Sequence, residues 1–379
     1  MRSIRMGFCL YVFVLFCSGI YSQNNILTLD SAGDKQFHFE KLKQIFQDKR
    51  VICLGETEHR IETFLRFKVQ LVKYLHAEMG FEVIGFESSL FNTSNAYYNY
   101  SSDTLALQEA VYGIWQTQSV LNLFSYIHSE KKAASPLVLT GFDVKSGTSY
   151  ATSNWLKRIC KPINSSWSDL VYKTDTALMN ANRIWESSAR LNKMIPLTKG
   201  KSTEYIRFYN AVSDSLKSNQ GKLLKQGILT EEQFKIICQS VINRKYLAEF
   251  LCIADIPSSV SYRDNKMAEN ITWLVDELYK DKKIILWAAD DHISKKCSVH
   301  YPHDNYKCSV EVLPKNVKDQ LFSISLNFFQ NSPRKEQKEM KAKGGTIFFI
   351  DHPTFLMDEF DGVFYFTNSE STANYSIKK

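Results

Sequence analysis

The sequence predicts an α/β protein in which a mostly parallel sheet, flanked by helices, is interrupted by an all-helical insertion. Two observations predict this fold class. Short apolar runs typical of buried strands alternate with amphipathic helical patterns in the first and last parts of the chain. Between them, residues 152–254 show long helical periodicity and almost no strand pattern. We therefore expect residues 23–151 and 255–379 to form one α/β domain, with residues 152–254 as a helical cap.

The composition is that of an ordinary globular protein. Of the 379 residues, 44% are hydrophobic and 23% are charged, proportions that exclude a disordered chain and a coiled-coil rod. The formal net charge is +7, and the surplus is too diffuse along the chain to indicate a nucleic-acid partner. We expect no nucleic-acid binding, and the composition does not indicate an oligomeric state.

The N-terminal segment has the pattern of a secretory signal peptide. Two arginines in the first five residues precede an apolar run at 6–16, and small residues follow up to Ser22. The run is shorter than the ~20 residues that cross a bilayer, so we expect cleavage after Ser22 and no remaining membrane anchor. Residues 1–22 therefore predict an exported protein, either periplasmic or secreted.

Cysteine spacing gives one candidate disulfide for an oxidising compartment. Cys297 and Cys308 lie close together in a polar, loop-like stretch, whereas the other cysteines of the mature chain fall in apolar strand or helical patterns. No CxxC spacing occurs, which excludes a structural zinc site of that kind.

The first α/β unit begins at residue 51. Val51–Leu54 is a short apolar run, as expected of a strand buried on both faces. Apolar residues then recur with helical spacing over 61–79, and Gly80 is placed to end that helix. Further strands are predicted at 81–86 and 137–139.

The remaining elements follow in the same way. The insertion has helical patterns, which lie at 166–194, 203–224 and 230–253. Strand patterns then resume and complete the sheet, at 283–287, 321–326, 345–350 and 363–366.

Several familiar catalytic motifs are absent from the sequence. It contains no GxSxG and no HExxH, which disfavours a serine hydrolase of the α/β-hydrolase type and the commonest zinc peptidases. No GxGxxG follows a strand, so we expect no nucleotide cofactor.

Polar residues stand where four predicted strands end, and open α/β sheets place their ligand sites there. They are Glu56 and His59 after the strand at 51–54, Glu87 after 81–86, Asp143 after 137–139, and Asp290 and His292 after 283–287. Such groups are costly to bury without partners, so we expect them to form one convergent network.

Several of these residues lie in sequence blocks that resemble the erythromycin esterase-like family. In chain order the blocks are GExxH at 55–59, GFESS at 85–89, YGIW at 112–115, GFD at 141–143, RDxxMAEN at 263–270 and WA…H at 287–292. The resemblance spans most of the mature chain and implies an α/β fold with a helical cap over a cleft. It also implies hydrolysis of an ester or macrolactone without a serine nucleophile, and hence a small-molecule ester or lactone as the partner.

The same resemblance implies a role for five residues. The histidine of the GExxH block, His59, would act as the general base that activates water, and Glu56 or Glu87 would orient its ring. Arg263 would stabilise the oxyanion. His292 would donate a proton to the leaving alkoxide or bind the substrate.

The chain departs from the family pattern at three positions. Family members typically carry a histidine and an asparagine after Trp-Ala, where this chain has Ala289 and Asp290. A glycine commonly follows the GExxH histidine, where this chain has Arg60. Erythromycin is therefore not assumed as the substrate, although macrolide hydrolysis, and with it antibiotic resistance, stays among the activities to test.

Three alternatives remain open from the sequence alone. Arg263 could anchor a turn, with Asp264 as the N-cap of a helix over 266–279. Divalent-metal hydrolysis is a second alternative, since carboxylates and histidines are metal ligands; its candidate set is Glu56, His59, Glu87, Asp290 and His292. The loss of a family histidine at Ala289 also allows a non-catalytic, exported small-molecule-binding protein.

Overall fold

The structure is a computed structural model. It describes residues 26–29, 37–147, 149–191, 193–299, 306–351, 353, 356 and 358–372. The predicted signal peptide at 1–22 lies outside the described residues, so it stays a prediction. Within the described ranges, no helix is both long and apolar enough to span a membrane.

One eight-stranded sheet organises the molecule. Its strands are β1 (Ile26–Thr28), β2 (Val51–Leu54), β3 (Phe81–Ser89), β4 (Val138–Asp143), β5 (Lys283–Trp287), β6 (Leu321–Phe328), β7 (Ile347–Asp351) and β8 (Gly362–Phe366). They lie in the order β1-β7-β8-β6-β2-β5-β3-β4, and only the pairings of β7 with β1 and β8 are antiparallel. The predicted α/β fold class with a mostly parallel sheet is therefore confirmed.

Helices cover the sheet and occupy the middle of the chain. Those of the sheet-forming parts are α1 (Lys43–Phe46), α2 (Glu62–Met79), α3 (Leu90–Asn99), α4 (Asp103–Ala110), α5 (Gln118–Glu130), α11 (Ile256–Trp273), α12 (Asp290–Ile293), α13 (Lys315–Lys318) and α14 (Arg334–Lys343). Those between β4 and α11 are α6 (Ala151–Cys160), α7 (Ser165–Arg190), α8 (Lys199–Ser218), α9 (Gln220–Lys225) and α10 (Glu231–Phe250).

The apolar run of the central strand β2 is continuous because both faces of the strand are buried. Alternate residues of a strand point to opposite faces of the sheet. Ile52 and Leu54 belong to the apolar cluster that contains α2 and α5, whereas Val51 and Cys53 belong to the cluster that contains α11. All four are completely buried, because helices cover both faces.

The end of α2 and the start of α11 both have local causes, although the sequence predicted only the first. Gly80 has a φ of 70° and ends α2, as its position indicated. In contrast, α11 begins well before the predicted 266–279 helix, because Asp255 caps Ser258 N at 2.8 Å and a proline follows in the first turn. The interpretation of Asp264 as an N-cap is therefore wrong, since Asp264 lies inside α11.

The helices α6 to α10 share a core of their own. Their apolar residues form a cluster that also includes Phe91 of α3. A buried ion pair between Arg244 of α10 and Asp175 of α7 crosses this region, with Nε to Oδ1 at 2.8 Å. The helical nature of the 152–254 segment agrees with its periodicity, while the division of the chain into domains stays a prediction.

Candidate active site

The ends of β2, β5, β3 and β4 lie side by side at one edge of the sheet. These four strands are parallel neighbours, so their carboxyl ends face the same way. Leu54 and Phe86 each pair with Trp287, and Phe86 also pairs with Gly141. The residues that follow these strands therefore come into the same region.

Glu56 is the centre of a first group of contacts. Its side chain is almost fully buried after β2. Oε1 accepts hydrogen bonds from Trp115 Nε1 at 2.7 Å and from His59 Nδ1 at 3.1 Å, and Oε2 forms an ion pair with Lys68. The carboxylate is thus held in place by three donors.

Lys68 was not predicted as a site residue. It lies on α2, is completely buried, and donates to Ala288 O at 3.2 Å, with Nζ 4.6 Å from the Trp287 ring centre. Burial lowers the pKa of Lys68, and the attraction of Glu56 offsets that effect only in part. A lysine four residues after Phe64 and four before Val72, on an apolar helix face, is the signal that could have revealed it.

His59 differs from its partners because it is accessible. Its side chain is 39% exposed, and its ring meets the Trp115 ring edge-on at a centroid distance of 5.9 Å. The bond from Nδ1 to Glu56 leaves Nε2 without a hydrogen-bond partner among the described residues. A carboxylate on Nδ1 fixes the tautomer in which Nε2 is the basic nitrogen.

Arg263 is the centre of a second group. From α11 its Nε donates to Asp143 Oδ1 at 3.0 Å, and its Nη2 donates to Asp143 Oδ2 and Glu87 Oε1, each at 2.6 Å. Nη1 has no carboxylate partner in the described part of the chain and lies 3.1 Å from His292 Nε2. The sequence analysis placed Asp143 at a strand exit without giving it a role. In the structure its carboxylate accepts from both Nε and Nη2 of Arg263 and so orients the guanidinium.

His292 is enclosed by carboxylates on both sides. Nδ1 lies 2.8 Å from Asp264 Oδ1, and Nε2 lies 3.1 Å from Glu87 Oε1. Burial alone would lower the pKa of His292, but Glu87 and Asp264 outweigh burial and raise it to about 10. The ring is therefore an imidazolium at neutral pH, with both nitrogens engaged.

The pKa of Glu87 is displaced in the opposite direction. Burial by itself would raise it, but the charges of His292 and Arg263 and a hydrogen bond from Ala289 N at 3.0 Å hold the pKa of this carboxyl well below its usual range. Glu87 is thus a permanent anion, and its position is set by three donors.

Asp264 anchors the second group from within α11. Besides His292 it accepts from Tyr306 OH at 2.9 Å and from Ser309 N at 2.9 Å. Arg263 and His292 therefore face three carboxylates in this group, which are Glu87, Asp143 and Asp264.

The segment after β5 joins the two groups. Ala289 N donates a hydrogen bond to the Glu87 carboxylate, whereas Asp290 N donates to the backbone oxygen of Glu56 at 3.1 Å. The structure thus brings Glu56 and His59 together and brings Glu87, Arg263 and His292 together. Among the described residues, no hydrogen bond joins His59 directly to the second group.

Asp290 lies in the segment after β5, and its carboxyl group is buried. Ser325 Oγ donates to Oδ2 at 2.5 Å, while Oδ1 has no hydrogen-bond partner in the described ranges. Burial raises the pKa of Asp290 well above its usual range, and the hydrogen bond from Ser325 offsets this effect only in part.

A cavity of about 1200 Å³ opens beside these groups. Glu87 and Arg263 line it together with Tyr112, whose hydroxyl donates to Asp143 Oδ2 at 2.7 Å. Glu186 of α7 also lines it, so the helical region contributes to its wall. The volume is sufficient for a drug-sized or larger small molecule.

The candidate metal ligands do not gather into one site. Glu56 pairs with Lys68, and His292 is protonated between carboxylates, which leaves its ring no lone pair for a metal ion. In the described ranges, one group has ligand atoms within 4.8 Å of one another, and it comprises Cys297, Cys308 and Glu311. Among the described residues, these three have side chains placed so that they could hold a metal ion.

The same two cysteines were the candidate disulfide. In the structure both are buried free thiols, and Cys308 N donates to Cys297 Sγ at 3.0 Å. Cys308 Sγ also donates to Ser294 O at 2.7 Å. The two cysteines are therefore neighbours, as the sequence suggested, but they are not bonded.

The chain is similar to known proteins over most of its length. The erythromycin esterase family model matches residues 76–345. The Bacillus subtilis (strain 168) protein YbfO, provisionally named a hydrolase, is 28% identical over 315 residues, which cover 79% of this chain and 69% of that protein. Erythromycin esterase type II of Escherichia coli is 19% identical over 281 residues, covering 70% of this chain and 66% of the relative.

Two solved structures share the fold. A Bacillus cereus protein superposes with a TM-score of 0.69 at 18% identity, covering 90% of this chain and 93% of that chain. A mutant of the erythromycin esterase EreC in its open conformation gives a TM-score of 0.65 at 18% identity, covering 91% of this chain and 98% of that chain. At such identities the likeness shows the fold alone.

Proposed function

The chain belongs to the erythromycin esterase family and is a hydrolase of that family; from this premise we propose that it cleaves a carboxylic ester or lactone by general-base activation of water at His59. No serine nucleophile takes part in the proposed reaction. The substrate is a small molecule that fits the cavity beside the sheet edge.

The pairing of His59 with Glu56 carries this proposal. Glu56 accepts from Nδ1 at 3.1 Å, and the exposed ring keeps Nε2 for a water molecule. In the proposed step, Nε2 takes a proton from water while the oxygen attacks the substrate carbonyl. The tetrahedral intermediate then collapses with cleavage of the acyl C–O bond, and the protonated His59 returns that proton to the departing alkoxide oxygen. Because Trp115 and Lys68 hold the carboxylate, the ring of His59 is oriented before substrate binds.

The second group is proposed to bind the carbonyl. Arg263 has one nitrogen, Nη1, without a carboxylate partner among the described residues, and this nitrogen would donate to the oxygen as negative charge develops on it. Asp143 and Glu87 fix the guanidinium, and His292 is proposed as a positioning residue that holds Glu87. This division of roles agrees with a protonated His292 whose two nitrogens are both occupied.

Substitution of His59 tests the proposal. Purified mature protein is assayed on a panel of chromogenic esters and macrolides, with and without a chelator. We expect chelator-insensitive turnover and a fall in kcat of about 100-fold or more in His59→Ala, since a general base typically contributes that much. The melting temperature should change little because His59 is exposed.

His128→Ala is the matched control. His128 is also exposed and also bonds a carboxylate through Nδ1, at 2.9 Å from Asp103, on an unrelated helix. It should retain full turnover. Unchanged turnover in His59→Ala would refute the mechanism, and activity that a chelator removes and zinc restores would favour metal-dependent hydrolysis. Ligand-dependent thermal stabilisation without any turnover would favour a binding protein.

A further inference from the structure

Arg60 has a backbone conformation that its side chain disfavours. Its φ is 65°, which makes it the one non-glycine residue with a positive φ among those described. This left-handed conformation costs a residue with a Cβ free energy that glycine does not lose. Thr372 N donates to Arg60 O at 2.9 Å and helps to hold this turn between β2 and α2. Such strain is commonest where a side chain serves binding or catalysis.

The side chain of Arg60 lines the cavity of about 1200 Å³. It is exposed, and its guanidinium has no ion pair or hydrogen bond with another described residue. Arg190, at the C-terminal end of α7, lines the same cavity, is also exposed, and likewise has no such partner. Two arginines without counter-ions therefore face one cavity.

The acidic residues of the cavity do not neutralise these arginines, because each has another partner. Glu87 is paired with Arg263, and Glu186 lies 3.6 Å from Lys145. Glu109 accepts hydrogen bonds from the side-chain amides of Asn92 at 2.8 Å and Asn95 at 3.4 Å. The cavity thus keeps an unmatched positive charge at Arg60 and Arg190.

We propose that Arg60, together with Arg190, binds an oxoanion of the substrate, so that the substrate class is an ester that also carries a carboxylate or a phosphate. This inference rests on the proposed ester hydrolysis. Arg60 directly follows His59, and adjacent Cα atoms are about 3.8 Å apart. An anion bound by Arg60 would therefore be held one residue away from the water-activating histidine. The planar guanidinium suits bidentate binding of either oxoanion.

Two matched esters test the substrate class. Mono-4-nitrophenyl adipate carries a free carboxylate, and its methyl ester has the same chain without the charge. In the wild type we expect the larger kcat/KM for the anionic ester. Arg60→Gly should lower the ratio of the two kcat/KM values about 10-fold or more, mainly through KM. Arg60→Lys should keep part of the preference, and raised NaCl should weaken it.

A second measurement separates strain from binding. Arg60→Gly should raise the melting temperature by about 1–3 °C without ligand, because glycine relieves the strain. The adipate dianion should stabilise the wild type and not Arg60→Gly, a difference that does not depend on turnover. Arg207→Ala, which removes an exposed arginine of α8 that does not line the cavity, is the control and should change neither readout.

The outcomes distinguish the two proposals. If the wild type hydrolyses both esters with equal kcat/KM, or if Arg60→Gly and Arg207→Ala behave alike, the anionic substrate class is wrong while ester hydrolysis stands. If neither ester is hydrolysed, ester hydrolysis loses its support, and adipate stabilisation that depends on Arg60 still decides the oxoanion site. Replacing adipate with inorganic phosphate shows which oxoanion binds more tightly.

Discussion

The charge of His292 depends strongly on its neighbours. Its pKa rises from the usual 6.5 to about 10, because Glu87 and Asp264 outweigh burial. A raised pKa in the folded state means that the folded protein holds the proton more tightly than the unfolded chain. The resulting stabilisation is complete below pH 6.5 and is lost as the pH rises through about 10.

The substitution His292→Gln tests whether His292 carries a positive charge. The variant should lose about 3–5 kcal/mol of unfolding free energy at pH 6, since Asp264 would remain buried without a cation and Glu87 would keep only Arg263. Between pH 6.5 and 10 the loss should shrink, because the wild type itself loses the stabilisation there. Urea unfolding at several pH values measures both effects. A difference between the two proteins that stays constant over this range would contradict a charged His292.

Sequence reasoning found some site residues and missed others for physical reasons. Glu56 and Glu87 were predictable because a carboxylate directly after a buried apolar strand needs a partner at the sheet edge. Lys68 was missed although a single charge in an apolar helix stripe marks it. Asp264 was considered only as an alternative N-cap, because its partner His292 is 28 positions away and only the folded chain brings them together.

Among the secondary-structure elements, the bounds of central strands were easier to predict from the sequence than those of edge strands. The strands Val51–Leu54 and Lys283–Trp287 were predicted with their observed bounds, because both faces are covered and the apolar run is unbroken. The edge strand β1 was missed, since its three residues are too few for a pattern. The early start of α11 was missed because apolar periodicity over 266–279 outweighed the capping signal at Asp255.

The turn after β2 gives a prediction at the element scale. A Cβ on Gly55 would lie 1.9 Å from Asp290 Oδ1 and 2.9 Å from Ile293 Cδ1, so β2 and α12 approach closely only because residue 55 has no side chain. Gly55→Ala should reduce the unfolding free energy by about 1–3 kcal/mol. Gly221→Ala, at a helical glycine with no atom within 4 Å, should instead be neutral or stabilising by up to ~1 kcal/mol.

A double variant identifies the cause of that loss. Because Asp290 makes the closest contact, adding Asp290→Ala to Gly55→Ala should recover part of the stability. Urea unfolding of the two single variants and the double variant measures the coupling. Strict additivity would mean that the contact with Asp290 does not limit the approach.

In the molecule as a whole, buried polar contacts connect the helices α6 to α10 with the sheet. Arg244 of α10 binds Asp175 of α7 and also donates to Ser146 Oγ at 3.1 Å, in the segment after β4. Asn270 of α11 accepts from Gln239 of α10 at 3.0 Å and donates to Phe142 O at 3.0 Å. These contacts couple the helices α6 to α10 to the sheet edge that carries the site.

Arg244→Ala tests this coupling. The variant should lose about 3–5 kcal/mol, because Asp175 would stay fully buried without its cation. We expect circular dichroism and tryptophan fluorescence to report one coincident unfolding transition in the wild type and in the variant, shifted together. Lys201→Ala, which breaks an exposed pair with Glu204, should shift the transition little. If two transitions separate and Arg244→Ala moves only one of them, the helical region unfolds on its own. The predicted cap would then be an independent domain rather than part of one cooperative unit.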